Sequence, residues 1–372
     1  MTAFDVDIQR LRSGYGVKWG ALAPGTLGAW VADMDFPVAP IIRQRLHEVT
    51  DHGYPHWPGG DPVVAAFTSR MATRHGWTPA EGRTRVFTDL IQILQVMIEA
   101  VTSPGDGIGV QLPNYPPFLA SITRAGRRIV PVSSPGDLAG CRLFLLVNPH
   151  NPTGRVFTAD ELAAFASAAR EHDVTVLSDE IHADLVYAGH RHVPFASLGP
   201  DAAARTITAT SATKAFNIAG LRCAVAHIGP AAVWDALDRF PLDYFGQPST
   251  LGRVATVAAW READDWLDGL MAVLTANRDQ VTQWAATLPG DTGYREPEGT
   301  YLAWLRLPGL GPDPAAVLEE RAKVRLGRGA DFSPDTGSYV RINFATSPEI
   351  LTEILNRVSR VASAAAGDLR GG

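Results

Sequence analysis

The sequence predicts an α/β chain in which a mostly parallel central sheet carries helices on both faces, accompanied by a smaller α+β domain. Three observations carry that expectation. Short apolar runs alternate with segments of helical period through the middle of the chain. Polar clusters follow directly on several of those runs. The final third changes to a long helical stretch followed by strands. With 372 residues there is length for a large domain and a smaller one, each with its own core.

Taken in order, residues 1–45 are expected to join the small domain, 46–255 to form the large domain and 256–372 the small C-terminal one. Arg85–Phe87 reads as a short strand. Leu90, Ile91, Leu94, Met97, Ile98 and Val101 then repeat at helical spacing. Leu143–Val147 is a continuous apolar run, the pattern of a strand buried on both faces. A turn rich in Asn, Pro and Gly follows. Thr158 with Glu161 then forms a capping box opening a helix that buries Leu162, Phe165, Ala166 and Ala169. Val174–Leu177, Arg205–Ala209 and Leu221–Ile228 read as further strands, and strand–crossover helix–strand is the pattern of a parallel sheet. A long helical stretch from Leu251 to about Leu288 carries Trp260, Trp266, Leu270 and Leu274. Strands follow around Tyr301–Leu305 and Tyr339–Phe344. The tail from Ser363 to Gly372, made mostly of small and polar residues, is expected to fray.

Composition excludes several function classes. Hydrophobic residues make up 46% and charged residues 19%, and the formal charge is −6. Without a basic run or face, a nucleic-acid partner is not expected. No apolar stretch approaches the roughly 20 residues that span a bilayer, so no membrane partner is expected either. Met1–Arg12 alternates acidic, basic and apolar residues and has no signal-peptide core. Cys141 and Cys223 each sit in an apolar segment and read as buried thiols of a reducing compartment, so the expected location is cytoplasmic.

The chemistry lies in three clusters, each directly after a strand of the sheet: Asn148-Pro-His-Asn151-Pro-Thr-Gly154, Ser178-Asp179-Glu-Ile-His182 and Ser211-Ala-Thr-Lys214. Ligands of open parallel sheets bind beyond the carboxyl ends of the strands. The spacings, 28 residues from Asn151 to Asp179 and 35 from Asp179 to Lys214, each leave room for a crossover and return. An amide, a carboxylate and an amine are therefore expected to meet there. Singly each has a plain structural reading, as a turn, a helix cap or a surface lysine; their order and spacing are what point to a site.

Those residue types suit pyridoxal 5′-phosphate. A buried carboxylate such as Asp179 would keep the ring nitrogen protonated, so that the ring acts as an electron sink. Asn151 and His182 can bond the ring oxygen. Lys214 is the amine for a Schiff base with the aldehyde, a role that favours a desolvated lysine. Thr88-Asp89-Leu90-Ile91 opens the helix after the first strand, and its N–H groups suit a phosphate, with Ser211 and Arg222 adding charge-assisted bonds. Other features are weaker. Gly105-Asp-Gly-Ile-Gly109 reads as a turn rather than a dinucleotide fingerprint. His182, His190 and His192 lack partners at ligand spacing, so no metal is expected.

The chain resembles the fold-type I pyridoxal-phosphate enzymes of the class I/II aminotransferase superfamily, and within it the MalY/PatB group of cystathionine β-lyases, or C–S lyases. The resemblance runs from about Val17 to Ala345. It rests on Lys18-Trp19, Trp30-Val-Ala-Asp-Met-Asp-Phe36, Gly53-Tyr54-Pro55, Pro113-Asn-Tyr115-Pro-Pro-Phe118 and the first two clusters, the second running on through Ala183-Asp184. Lys214-Ala-Phe-Asn-Ile-Ala-Gly220, Glu298-Gly-Thr-Tyr-Leu-Ala-Trp304 and Arg341-Ile-Asn-Phe344 complete it. It implies that Tyr115 stacks on the pyridine ring and that Tyr54 reaches the phosphate of a neighbouring subunit's cofactor, in a homodimer with shared sites. It further implies that Arg341 holds the substrate α-carboxylate, that Val31 and Ala32 line the substrate side, and that Tyr115 and Asn151 also bind substrate. The activity implied is α,β-elimination from a cysteine S-conjugate, with Lys214 as base. An aminotransferase, a decarboxylating oxidase and a regulatory protein that holds the cofactor without turnover are the alternatives. Three places depart from the group: Asp89-Leu90-Ile91 where Gly-Val-Val is usual, Ala-Thr-Ser-Pro after Phe344, and Ser-Ala-Thr before Lys214.

Overall fold

The computed structural model describes residues 4–14, 16–49, 53–241 and 244–368. Its strands, in chain order, are β1 Leu27–Ala29, β2 Thr84–Phe87, β3 Gly107–Val110, β4 Arg128–Pro131, β5 Cys141–Val147, β6 Thr175–Asp179, β7 Thr206–Thr210, β8 Ala224–Ile228, β9 Leu302–Arg306, β10 Val324–Arg328 and β11 Tyr339–Asn343. Two compact units contain them. One takes in the chain up to Pro37, His150–Arg155 and the chain from Asp268 onward; the other takes in Val38–Pro149 and Val156–Leu267.

The larger unit holds a seven-stranded sheet in the order β2-β8-β7-β6-β5-β3-β4. β5 shows why it is central. Leu143, Leu145 and Val147 pack into one hydrophobic cluster and Phe144 and Leu146 into another, so both faces of the strand are covered. The first cluster takes its helical side chains from Leu90–Val101, Pro116–Arg124 and Ala231–Asp238, the second from Ala159–Glu171 and Pro200–Arg205. The helix after β5 starts at a complete capping box, with the Glu161 amide donating to Thr158 Oγ1 and the Thr158 amide donating to Glu161. Ala166 is only half-buried, and Ala168 takes a place among the fully buried residues of that helix.

All neighbouring strands are parallel except at β8, which runs antiparallel to both β7 and β2. β2 therefore points the same way as β5, β6 and β7, and the start of β8 lies at the edge where those strands end. The strand expected from Leu221 begins only at Ala224. Ala219–Leu221 is a 3₁₀ turn and Arg222 is left-handed, with φ +55°. The glycine run at 105–109 is also not all turn. Gly107 and Gly109 lie inside β3, where a Cβ would stand 3.0 Å from the methyls of Val130 in the neighbouring β4 and of Val132 just after it.

The smaller unit holds the sheet β1-β10-β11-β9, in which only β1 and β10 pair in parallel. The helical stretch expected to be continuous from Leu251 is two helices, Thr250–Glu262 and Asp264–Ala285. Ala263 closes the first, and Asp264 and Asp265 open the second, where carboxylates suit the positive helix end. The tail departs from expectation too. Pro348–Asp368 is one helix because Leu351, Ile354, Leu355, Val358, Val361 and Ala362 bury a common stripe, and residues 369–372 lie outside the described chain. Both cysteines are buried and free. No helix among the described residues is long and apolar enough to cross a membrane.

Candidate active site

In the larger unit the register sets the site. Val147, Asp179 and Ala209 stand abreast at the ends of β5, β6 and β7, and Phe87 of β2 stands opposite Ala224 of β8. Four predicted groups therefore reach one edge of the sheet: Asp179, the Ser211–Lys214 turn, the start of the Leu90–Val101 helix, and Arg222.

Asp179 is 4% exposed, and its Oδ1 accepts the Ile181 amide at 3.0 Å. Burial pushes its carboxyl up, and the neighbouring Glu180 adds to that push. The Ile181 amide and Lys214 pull the other way, leaving the carboxyl at about 7. Lys214 is half-buried in a tight turn closed by Phe216 N–H to Ala212 O and Ile218 N–H to Thr213 O. Ser211 is buried and already engaged, lying 2.6 Å from the Cys223 carbonyl oxygen and accepting the Thr213 amide. His182 is buried three residues beyond Asp179, and Tyr115 caps its helix with its ring edge-on to Phe118. Tyr54 is fully exposed.

At the helix start, Asp89 is the N-cap. Its Oδ1 accepts the Gln92 amide at 2.9 Å, and its Oδ2 lies 2.9 Å from Thr88 Oγ1 and 2.5 Å from Arg222 Nη2. Leu90 is buried and Ile91 half-buried. Sequence reasoning assigned no role to Gln92, whose side-chain oxygen accepts the Thr88 amide in return. It also missed the use of Glu180 and His192. Glu180 Oε1 takes the Ser178 hydroxyl and the Phe195 amide, and Oε2 lies 3.0 Å from His192 Nε2. The alternation of Ser178, Asp179 and Glu180 across a strand end was the available signal, since neighbours point to opposite faces.

Asn151 groups with the smaller unit, and there it meets Arg341. Arg341 lies on β11, donates Nη1 to Asn151 Oδ1 at 2.9 Å and Nη2 to the Trp30 carbonyl at 2.8 Å, and passes over the Phe332 ring at 4.9 Å. The segment with Val31 and Ala32 is strapped beside it. Asn343 Nδ2 donates to Val31 O and Asp33 O, and the Tyr301 hydroxyl donates to Ala32 O. Lys18 and Asp35, from two separate motif strings, form a buried pair at 3.0 Å, and the Trp19 indole donates to the same carboxylate. Gly154 has φ +72°, and a Cβ there would lie 2.6 Å from Pro297; its carbonyl accepts both the Glu298 and Gly299 amides.

The donor set of the larger unit fits pyridoxal phosphate. A buried carboxyl held at about 7 lacks a full cationic counterpart, which a ring nitrogen would supply. An amine neighbours it, and an arginine with a helix start lies at the same edge.

The family model for aminotransferase class I and II matches residues 39–358. A Mycobacterium leprae protein named "Putative cystathionine beta-lyase" is 36% identical, with 95% of this chain and 96% of that one covered. The Bacillus subtilis cystathionine β-lyase PatB is 32% identical, with 97% and 100% covered. Among solved structures, the pyridoxal-phosphate-bound C–S lyase of Staphylococcus hominis superposes with a TM-score of 0.87 at 26% identity, over 97% of this chain and 98% of that one. With strand-end clusters, fold and relatives in agreement, the chain belongs to the class I and II aminotransferase family of pyridoxal-phosphate enzymes, in its cystathionine β-lyase-like branch.

Proposed function

We propose that this enzyme is a C–S β-lyase that splits a cysteine S-conjugate, with one water, into a thiol, pyruvate and ammonia. The observation that carries the reading is the buried Asp179 carboxyl, raised to about 7 beside a half-buried Lys214, in a chain whose relatives include cystathionine β-lyases. When bound, pyridoxal phosphate supplies the electron sink that lets a Cα proton and then a β-substituent leave. Lys214 Nζ would hold the cofactor and, when its amine is free, would accept the Cα proton. Asp179 would hold the proton of the ring nitrogen, whose positive charge would keep the carboxyl ionised. Tyr115 would stack on the ring, and His182 and Asn151 would serve its oxygen. Ser211, Arg222 and the amides at Asp89, Leu90 and Ile91 would serve the phosphate.

Arg341 clamps the substrate α-carboxylate, a bidentate task for which Asn151 and the Trp30 carbonyl fix its plane. Val31 and Ala32, strapped to β11, bound the substrate side. The working form is a homodimer in which Tyr54, exposed on the single chain, reaches the partner's phosphate. The buried free thiols support a cytoplasmic location. Incubating the holoenzyme with L-cystathionine and a panel of S-substituted cysteines tests the reaction. Thiol and pyruvate are expected from at least one of them. A keto acid that retains its sulfur, or oxygen uptake without thiol, would instead assign transamination or oxidation.

A further inference from the structure

We propose that Asp89 is a resident competitor of the cofactor's phosphate, so that this chain binds pyridoxal phosphate more weakly, and exchanges it more readily, than its fold allows. The inference rests on the cofactor reading above and adds a role that the reading does not require.

The antiparallel course of β8 brings Arg222 to the edge where β2 ends. Phe87 and Ala224 are register partners, Asp89 lies two residues after the first, and Arg222 two before the second. The left-handed backbone at Arg222 (φ +55°) turns the chain just before β8. The side chains then meet: Arg222 Nη2 lies 2.5 Å from Asp89 Oδ2. Asp89 is the more enclosed partner, with 21% of its side chain exposed against 61% for Arg222.

Several donors that an anion would seek at this helix start are taken up within the chain. The Gln92 amide goes to Asp89 Oδ1, the Thr88 amide to Gln92 Oε1, and the Thr88 hydroxyl has Asp89 and Gln92 oxygens 2.9 Å away. Gln92 Nε2 is tied to the Phe245 carbonyl. The Leu90 and Ile91 amides remain as first-turn donors without an intrahelical carbonyl. One guanidinium charge and one carboxylate charge cancel, so a phosphate dianion arriving here meets a paired arginine instead of a free one. To bond Arg222 it must displace Asp89 or share the guanidinium with it, and like charges on one cation repel.

Substituting Asp89→Asn keeps a side-chain oxygen for the cap and removes the charge. The unaltered protein and this variant are titrated with pyridoxal phosphate, following the visible absorbance that requires Lys214, and in parallel with pyridoxal, which lacks the phosphate. The expected result is about tenfold tighter binding of pyridoxal phosphate by the variant, with pyridoxal unchanged and a gain that shrinks as ionic strength rises. Asp89→Ser, another good cap, is expected to behave alike and serves should the Asn variant fold poorly. Equal or weaker binding of pyridoxal phosphate by the variants would overturn the proposal and make Asp89 a support for Arg222. An equal gain for pyridoxal would overturn it as well. No Lys214-dependent absorbance in the unaltered chain would overturn the cofactor reading itself, a failure distinct from unchanged affinity.

Discussion

At Asp179 the physics of a single carboxyl links fold to chemistry. Burial raises it, Glu180 adds to the rise, and the Ile181 amide and Lys214 only partly offset them, leaving a value of about 7 against an ordinary 3.8. A group whose folded-state pKa is raised favours folding while protonated, and that contribution fades as pH rises from about 4 through 7. A ring nitrogen that stays positive reverses the sign, since it stabilises the ionised form. In the cofactor-free chain, Asp179→Asn removes a carboxyl that is costly to ionise. Thermal unfolding of the two cofactor-free proteins is expected to show the Asn variant gaining on the parent by several degrees between pH 5 and pH 8. A difference that stays flat with pH would contradict the burial account of this residue.

The turn after β6 owes its shape to a buried polar network in the larger unit. Glu180 anchors it through Ser178, Phe195 and His192. Asp184 anchors it through Arg70 at 3.0 Å and His75 at 3.4 Å, and Arg70 also reaches Asp264. Burial alone would raise the Asp184 carboxyl, but His75 and Arg70 outweigh it and hold it at about 2. A depressed carboxyl stabilises the fold above its unfolded pKa, and that contribution is lost as pH falls from about 4 through 2. Asp184→Asn leaves the buried Arg70 guanidinium with the partly exposed Asp264 as its remaining carboxylate and is expected to cost about 3 kcal/mol near neutrality. Urea unfolding checks this. The gap between variant and parent closes as pH approaches 2, and a gap independent of pH would remove the ion pair from the explanation.

The same scale shows what the sequence made legible. β5 and the helix after it were readable because a continuous apolar run and a Thr158–Glu161 capping box are local signals. β1 and β10 were not read, because Leu27–Ala29 is three residues long and pairs with Val324–Arg328 far along the chain. The placement of Asp179 at the end of β6 and of Lys214 in the turn after β7 was legible, because each polar cluster follows an apolar run. The bond from Arg341 to Asn151 joins residues 190 apart, and the Asp89–Arg222 pair depends on one antiparallel strand in an otherwise parallel sheet. No local period carries either.

In the proposed dimer, one chain completes its partner's site. Mixing Lys214→Ala chains with Tyr54→Phe chains tests this, because a hybrid dimer contains one site with both native residues. Random reassortment is expected to restore about a quarter of full activity, from half the dimers each carrying one intact site. Activity that never exceeds the sum of the parents would place Tyr54 outside the partner's site. Which bond breaks after the Cα proton leaves is read from the ratio of products from one S-substituted cysteine, measured for the holoenzyme and for Lys214→Ala reconstituted with cofactor. Equal amounts of thiol, pyruvate and ammonia are expected from the first, and neither thiol nor pyruvate from the second. A sulfur-retaining keto acid from the holoenzyme, or thiol release surviving the loss of Lys214, would contradict β-elimination with Lys214 as its base.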